Sequence, residues 1–317
     1  MKPAPMMIAG EGMGIMICSM RTPTKTLHPP FVRNAAKMSS VRCPITIAPG
    51  NRVLYNGPVK KCGKVMSLVV PLFLASCATI PVSGRRSFNI IPEDQELTLG
   101  VEAYKEIRSK ATLSKDAAAT NLVRRVGERI ARASDRPDYA WEYTLIDDPK
   151  TQNAFCLPGG KVAVYTGLLP VTQNETGLAV VLGHEIAHAI AKHGAERMSQ
   201  ELLLSLGGQT LEMAMQKKPA ETRQAILQAF GLGATYGAIL PFGRSQESEA
   251  DRIGLIYMAR AGYDPKEALA FWKRMEAASG GKQPPQFLST HPSHETRIQD
   301  LEKWMPEAEG IFKSSQK

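Results

Sequence analysis

The sequence predicts a mainly α-helical domain with a small β-sheet, an α+β fold, and three observations support this. Apolar residues recur at helical spacing over most of the chain beyond residue 93. Segments that read as strands occur only between residues 141 and 165. With 317 residues, 43% of them hydrophobic and 22% charged, the chain can bury one sizeable core and is not a disordered protein.

The predicted elements are six helices and three strands. The helices are expected over residues 93–110, 120–134, about 175–198, 245–261, 265–278 and 295–304. The strands are expected over residues 141–145, 153–156 and 161–165. Residues 200–241 are apolar and punctuated by glycines, which predicts either closely crossing helices that cover a cleft or a second helical layer of the core.

The net charge of +9 is concentrated at the N-terminus. The first 76 residues hold ten Lys and Arg residues and one acid, whereas the remainder holds 29 of each sign. A neutral body offers no electrostatic footprint for DNA or RNA, so the sequence predicts no nucleic-acid partner.

Residues 59–76 have the order of a bacterial signal peptide: Lys60 and Lys61, a short apolar run, then small residues. Leu74-Ala75-Ser76-Cys77 resembles the lipobox of bacterial lipoproteins, which implies that Cys77 is acylated and becomes the first mature residue. Ala78, in place of the Asp that signals inner-membrane retention in enteric bacteria, favours the outer membrane. Two alternatives stay open: an incidental cysteine in a buried segment, and a mitochondrial presequence over residues 1–76, because those residues are basic and acid-poor.

His184-Glu185-Ile186-Ala187-His188 carries the predicted chemistry. Positions i and i+4 lie about 40° apart around a helix, so two imidazoles can bind one metal ion from a single face. Glu185 lies about 100° round from His184, where it can take a proton from a water that the metal polarises. The surrounding helix is apolar nearly all round and therefore buried, which makes two ordinary histidines the weaker alternative.

A catalytic zinc usually has three protein ligands, and a later segment offers the third. Glu247 and Asp251 are four residues apart, so their like charges share one helical face and need a nearby cation. Glu247 is predicted to bind the metal, and Asp251 to accept an N–H from a ligating histidine. The alternative is a solvated acidic face. His193, nine residues past His184, is predicted on the opposite side of the helix, partly exposed and not a ligand.

These motifs, with Asn153-Ala154-Phe155 and Pro158-Gly159-Gly160 upstream, resemble the zinc metallopeptidases of the HtpX and CAAX prenyl protease type. Their periplasmic BepA- and LoiP-like branch is the most similar, and the mitochondrial Oma-type proteases are related to it. The resemblance covers about residues 93–305 and implies a zincin-like metalloprotease domain with an active-site helix and an edge-strand hairpin. It also implies one Zn²⁺ per chain, with the ligands His184, His188 and Glu247, the base Glu185, and Asp251 behind the ligands.

The resemblance assigns roles to two further segments. Relatives hold substrate by adding it to an edge strand, and the hairpin strand with Gly160, Val162, Ala163 and Val164 matches that element. His291 could donate to the oxyanion or occupy the open zinc position in a latent state, and Arg297 is expected to steady the cleft carboxylates. The structural alternatives are a plain hairpin for the strand and a surface helix cap for His291.

The sequence thus predicts a zinc metalloendopeptidase that acts on peptide bonds of misfolded envelope proteins and is lipid-anchored in the bacterial periplasm. Its predicted organisation is a disordered leader or over-extended gene start over residues 1–58, a lipoprotein signal peptide over 59–76, a tether over 77–92 and the peptidase domain over 93–317. Its predicted partners are protein or peptide substrates and a membrane, reached by the lipid and not by a transmembrane span. The rivals are a largely latent, chaperone-like binding protein and a zinc hydrolase for a non-peptide bond, which the hairpin disfavours.

Overall fold

The computed structural model describes residues 77–279, 286–291 and 296–317; the predicted leader and signal peptide lie outside them. The strands are β1 (Cys77–Thr79), β2 (Arg86–Phe88), β3 (Glu142–Ile146), β4 (Ala154–Leu157) and β5 (Lys161–Tyr165). The helices are α1 (Glu93–Lys110), α2 (Ala117–Ala133), α3 (Leu169–Thr172), α4 (Glu175–Ile190), α5 (His193–Ala214), α6 (Ala220–Ala234), α7 (Leu240–Arg260), α8 (Lys266–Ser279), α9 (Gln286–Thr290) and α10 (Arg297–Ser315). A 3₁₀ turn (Thr166–Leu168) precedes α3, and a π-helical turn (Thr235–Ile239) precedes α7. The predicted α+β fold class is confirmed, and none of the described helices has the length and apolarity to cross a bilayer.

A three-stranded sheet has the order β3, β5, β4. β5 runs parallel to β3 and antiparallel to β4, so that Val162 lies opposite both Tyr143 and Cys156. The β4–β5 hairpin turns through Gly159 and Gly160, whose φ angles of +79° and +80° favour glycine. β5 is therefore the central strand, and β3 and β4 are the edges.

Helix α4 lies at the centre of the core. It begins at Glu175, where the side chain of the preceding Asn174 accepts an N–H bond from Gly177. Every residue from Gly177 to Ile190 is buried. Strand β4 and helices α2, α7 and α8 pack around it, and a helix that is apolar on all sides requires such a cover.

Helices α4 and α7 cross at two glycines. A Cβ added to Gly254 would lie 2.8 Å from the Gly183 carbonyl carbon and 2.8 Å from the His184 nitrogen. Side chains other than hydrogen do not fit at that distance, so glycine at this crossing lets the two backbones approach. The crossing sets the separation between the helix with the two motif histidines and the helix with Glu247.

Helix α4 ends at Ile190, short of the predicted end at Met198. Lys192 takes the left-handed conformation, with φ of +57°, and α5 begins as a separate helix at His193. The prediction of one helix over residues 175–198 is therefore wrong. Such turns usually carry glycine or asparagine, and a lysine there gives no sequence signal.

The segment predicted as a tether over residues 77–92 is instead ordered and packed on the domain. β1 and β2 pair antiparallel, and Ile80 between them joins the hydrophobic core. Arg85 forms ion pairs at 2.7 Å with Glu196 and at 2.7 Å with Glu249. The tether prediction is therefore wrong. It rests on local composition, which carries no information about partners more than 100 residues away in the sequence.

Helices α5 and α6 pack against each other, with Phe230 of α6 lying over Gly207 of α5. No residue of α6 is buried, so the predicted second helical layer of the core is wrong for this helix. Both helices expose large apolar side chains: Leu202, Leu203, Leu206, Met213, Ile226, Phe230 and Leu232.

Candidate metal centre

Four side chains from three parts of the chain meet in a buried cluster. His184 and His188 come from α4, Glu247 comes from α7, and His291 directly follows α9. One ligand atom from each lies within 4.8 Å of the others. The structure thus brings the three predicted metal ligands together and adds His291. Because only 8% of His291 is exposed, the alternative of a surface helix cap is wrong.

The spacing of these atoms fits one tetrahedral ion. His184 Nε2 lies 3.0 Å from His188 Nε2, 3.3 Å from Glu247 Oε2 and 3.2 Å from His291 Nδ1. Glu247 lies 3.4 Å from His188 Nε2 and 3.2 Å from His291 Nδ1. With bonds of about 2.0–2.1 Å, ligand atoms around a tetrahedral zinc are about 3.3 Å apart. Imidazole nitrogens and a carboxylate are also ligands that zinc prefers, so the residues present fit Zn²⁺.

Two charged residues lie behind His184. Its Nδ1 faces Asp251 Oδ1 at 2.9 Å, which turns Nε2 towards the cluster. Arg297 is buried and donates from Nε to Asp251 at 2.7 Å and from Nη2 to Glu247 at 3.2 Å. Its guanidinium lies 3.9 Å from the centre of the Trp272 ring. Since Glu247 and Asp251 are both buried, the alternative of a solvated acidic face is wrong.

His188 is backed by a second histidine. His193 is fully buried, with Nδ1 2.8 Å from His188 Nδ1 and Nε2 2.9 Å from Glu249. Burial alone would raise the pKa of Glu249, but hydrogen bonds from His193 and Ser83 and the charge of Arg85 lower that pKa to about 2. The prediction of a partly exposed His193 is wrong because α4 ends before this residue, so angles counted along one continuous helix do not apply.

Glu185 lies beside the cluster without belonging to it. The residue is 3% exposed, and its Oε1 lies 3.2 Å from His291 Nε2. Burial raises the pKa of Glu185, while the nearby His291 and His184 imidazoles act in the opposite direction. A carboxylate with a raised pKa is well suited to exchange protons near neutral pH.

The charges of the cluster also suit a metal ion. Burial disfavours the charged form of His184, but Asp251 and Glu247 outweigh it and raise the pKa of this imidazole to about 10. Burial lowers the pKa of His188 well below its ordinary value. Although burial works against it, hydrogen bonds from the three clustered histidines hold the pKa of Glu247 far below its usual range. A divalent ion can displace the proton on His184 and neutralise the ionised carboxylates.

The strand predicted to bind substrate is not an edge of the sheet. Gly160 precedes β5, and Val162, Ala163 and Val164 lie within it, each at most 1% exposed. β3 and β4 occupy both sides of this strand, so no further strand can add to it. The predicted substrate-binding role of these four residues is therefore wrong. The edge strand that packs against α4 is β4.

A His-Glu-x-x-His helix, a carboxylate from a second helix and a small sheet beside them define a zincin-type metallopeptidase. Comparison with known protein families agrees: the model of peptidase family M48 matches residues 117–305, and the chain belongs to this family. It is a zinc metalloendopeptidase, as the sequence predicts, and its cofactor is Zn²⁺.

Relatives of known name occur in mitochondria and in bacteria. The chain is 42% identical over 239 residues to mitochondrial metalloendopeptidase OMA1 of Schizosaccharomyces pombe, covering 73% of this chain and 67% of that protein. It is 33% identical over 253 residues to the protein of the same name in Saccharomyces cerevisiae, covering 74% and 71%. It is 29% identical over 240 residues to the beta-barrel assembly-enhancing protease of Escherichia coli, covering 73% and 48%. The predicted resemblance to the Oma-type and BepA-like branches is confirmed.

Proposed function

We propose that this metalloendopeptidase cleaves misfolded proteins of the cell envelope while a lipid on Cys77 holds it at a membrane. The observation that carries the site assignment is the cluster of His184, His188 and Glu247 at the spacing of a tetrahedral zinc site, with Glu185 beside it. The quality-control role is supported by the E. coli relative, whose name describes a protease that enhances β-barrel assembly.

The residues of the cluster and those beside it have different proposed roles in peptide hydrolysis. Zn²⁺ bound by His184, His188 and Glu247 supplies a Lewis acid that polarises a peptide carbonyl and activates water at neutral pH. The buried Glu185 carboxylate takes the proton from the attacking water and passes it to the amine of the leaving peptide. Asp251 orients His184, and the Arg297 guanidinium fixes the carboxylates of Asp251 and Glu247.

Strand β4 takes the substrate role that the sequence assigns to β5. The Tyr165 N–H donates to the Asn153 carbonyl, and the antiparallel alternation then points the backbone groups of Cys156 away from β5. These groups can pair with an extended peptide, which holds the peptide with little demand on its side chains. Because β4 packs against α4, a peptide added there runs beside the metal cluster.

His291 is proposed to latch the enzyme by taking the fourth position around the metal. Its Nδ1 lies 3.2 Å from both His184 Nε2 and Glu247, and its Nε2 lies 3.2 Å from Glu185. The same imidazole therefore covers the open metal position and contacts the base. Between the two predicted roles, this geometry favours the latch over donation to the oxyanion.

The latch is connected to the proposed substrate strand. The Phe287 N–H of α9 donates to the Gln152 carbonyl at 2.9 Å, just ahead of β4. A peptide that pairs with β4 therefore meets the segment that precedes His291. Displacement of that segment by substrate would open the fourth position only when a peptide is present.

The full chain, casein and two variants test the peptidase site. Glu185→Gln is expected to keep one zinc per chain, measured by elemental analysis, and to lose at least about 100-fold in cleavage rate, because the base is removed and the ligands remain. Glu201→Gln, an exposed glutamate of α5, is the matched control and is expected to cleave like wild type. Cleavage by Glu185→Gln at the wild-type rate would contradict the assigned role.

His291→Ala distinguishes the latch from an oxyanion donor. A latch predicts faster casein cleavage with zinc retained by three ligands, whereas a donor predicts a lower kcat. The latch also bears on the chaperone-like rival, since a permanently latched protein would bind casein without cutting it. If His291→Ala remains inactive while it binds both zinc and casein, the binding protein is the better account.

We propose the bacterial periplasm as the location, at the outer membrane, with mitochondria as the alternative. The lipobox-like order ahead of Cys77 supports the first, and the 42% identity to a mitochondrial relative supports the second. Because β1 begins at Cys77, a lipid there would sit at the start of the folded domain. Radiolabelled palmitate should label the wild type and not Cys77→Ser; a wild type that takes up no label would contradict the anchor.

A further inference from the structure

We propose that the N-terminal hairpin of β1 and β2 completes the metal centre, with Arg85 acting through Glu249 and His193 to position the ligand His188. The hairpin precedes the part of the chain that matches the M48 family model, residues 117–305. The inference rests on the proposed metal site, because it needs His188 to be a ligand.

A continuous line of contacts leads from the hairpin to His188. Arg85 Nε donates to Glu249 Oε2 at 2.7 Å, and the Ser83 hydroxyl donates to the other oxygen of the same carboxylate. Glu249 Oε2 lies 2.9 Å from His193 Nε2, and His193 Nδ1 lies 2.8 Å from His188 Nδ1. The two histidines are buried, so water does not compete for these contacts.

The contacts fix the position of each proton. A neutral His188 that presents its Nε2 lone pair to a metal must carry its proton on Nδ1, and this N–H then donates to His193 Nδ1. His193 must in turn carry its proton on Nε2, where it donates to Glu249. The Arg85 guanidinium keeps the carboxylate turned towards His193. Glu249 therefore selects the tautomer of His188 through one intervening imidazole.

Arg85 is itself held in place. Its Nη1 and Nη2 donate to the two oxygens of Glu196 at 2.7 and 3.0 Å, and Gln246 also donates to Glu196 at 3.0 Å. A paired fork of this kind fixes the plane of the guanidinium and aims Nε at Glu249. Lysine cannot reproduce both contacts.

The two ligand histidines of α4 then have equivalent supports. His184 faces Asp251, which accepts from Arg297. His188 reaches an arginine-held carboxylate through one additional imidazole. The support of His184 comes from α7 and α10, within or overlapping the matched family region, whereas the support of His188 ends on a segment ahead of it.

Zinc affinity of the full chain, measured by competition with a chromophoric chelator, tests the proposal. Arg85→Ala is expected to weaken zinc binding by about 10- to 100-fold, the usual effect of removing a group behind a ligand. Arg86→Ala, at the exposed residue that follows Arg85 and begins β2, is the matched control and should stay within about twofold of wild type. The zinc affinity of Arg85→Lys should fall between those of the two alanine variants, because lysine restores the positive charge but not the paired hydrogen bonds to Glu196.

A second variant and a spectrum separate positioning from general stability. Glu249→Gln is nearly isosteric and should also weaken zinc binding and shift the visible absorption bands of the Co²⁺-substituted protein. Wild-type zinc affinity and an unchanged cobalt spectrum in both Arg85→Ala and Glu249→Gln would overturn the inference. If Arg85→Ala does not fold, Glu249→Gln decides alone. A wild-type chain that binds no zinc would instead refute the proposed metal site itself.

Discussion

Replacing Gly254 with alanine is predicted to separate the two helices that carry the metal ligands. The added Cβ would lie 2.8 Å from the Gly183 carbonyl carbon and 2.8 Å from the His184 nitrogen, all of which belong to rigid helix backbone. Comfortable contact between such atoms begins at about 3.5 Å. The helices must therefore move apart by roughly 0.7 Å at the crossing.

That movement is large compared with what a metal site tolerates. His184 follows Gly183 on α4, and Glu247 lies on α7, with a carboxylate oxygen 3.3 Å from the His184 imidazole. Metal–ligand distances hold within about 0.2 Å in well-formed sites. Zinc affinity should fall by about tenfold or more. Overpacking typically costs about 1–3 kcal/mol, which corresponds to a Tm lower by roughly 2–12 °C for a domain of this size.

Chelator competition for zinc and scanning calorimetry measure both effects. Gly243→Ala on the same helix is the control, because a Cβ there meets no atom within 4 Å. Alanine should stabilise that position by up to about 1 kcal/mol and leave zinc binding unchanged. Wild-type zinc affinity together with a wild-type melting temperature in Gly254→Ala would contradict this prediction.

Three further predictions concern the metal, the packing of the core and the proposed substrate strand. Free zinc at about 1,000 times its Kd adds about 4.1 kcal/mol to the free energy of unfolding. Removing it with a chelator should therefore lower Tm by roughly 8–16 °C. Equal melting temperatures of the zinc-bound and zinc-free forms would contradict the buried site. Gly127→Ala should destabilise the fold in urea titrations, since its Cβ would lie 2.1 Å from the Tyr143 ring, whereas Gly310→Ala should not. Cys156→Pro should raise KM for casein and leave zinc content unchanged, because it removes an outward N–H of β4; an unchanged KM would exclude this edge as the substrate strand.

The central chemistry was predictable from the sequence because it depends on local spacing. Four residues of helix place His184 above His188, and the same interval relates Glu247 to Asp251, whatever the rest of the fold does. The burial of α4 was also visible in its continuous apolar composition. That Glu247 should meet the two histidines, about 60 positions earlier, is inferred from its like charge with Asp251 and from the need for a third ligand, and the resemblance to a known family supports it.

The predictions that failed depend on where the chain changes direction. A helix continued through Lys192 places His193 on the opposite, partly exposed side, and Lys192 is not a glycine that would mark the break. The composition of residues 77–92 predicts a tether, whereas the hairpin ahead of α1 is held by ion pairs of Arg85 with Glu196 and Glu249. Local composition carries no information about such distant pairs. In this chain, the contacts of Arg85 continue through Glu249 and His193 to His188 at the metal centre.

The misassigned substrate strand has a different cause, because composition does not distinguish the two strands of the hairpin. Val162-Ala163-Val164 of β5 is an uninterrupted apolar run, but Ala154-Phe155-Cys156-Leu157 of β4 is one as well. Two glycines at the turn fix the hairpin but do not say which of its strands faces outward. A third strand settles that: β3 pairs in parallel with β5, leaving β4 as the edge beside α4. Strand addition is therefore possible at β4 and not at β5, and the position of a strand in the sheet follows from its pairing rather than from its composition.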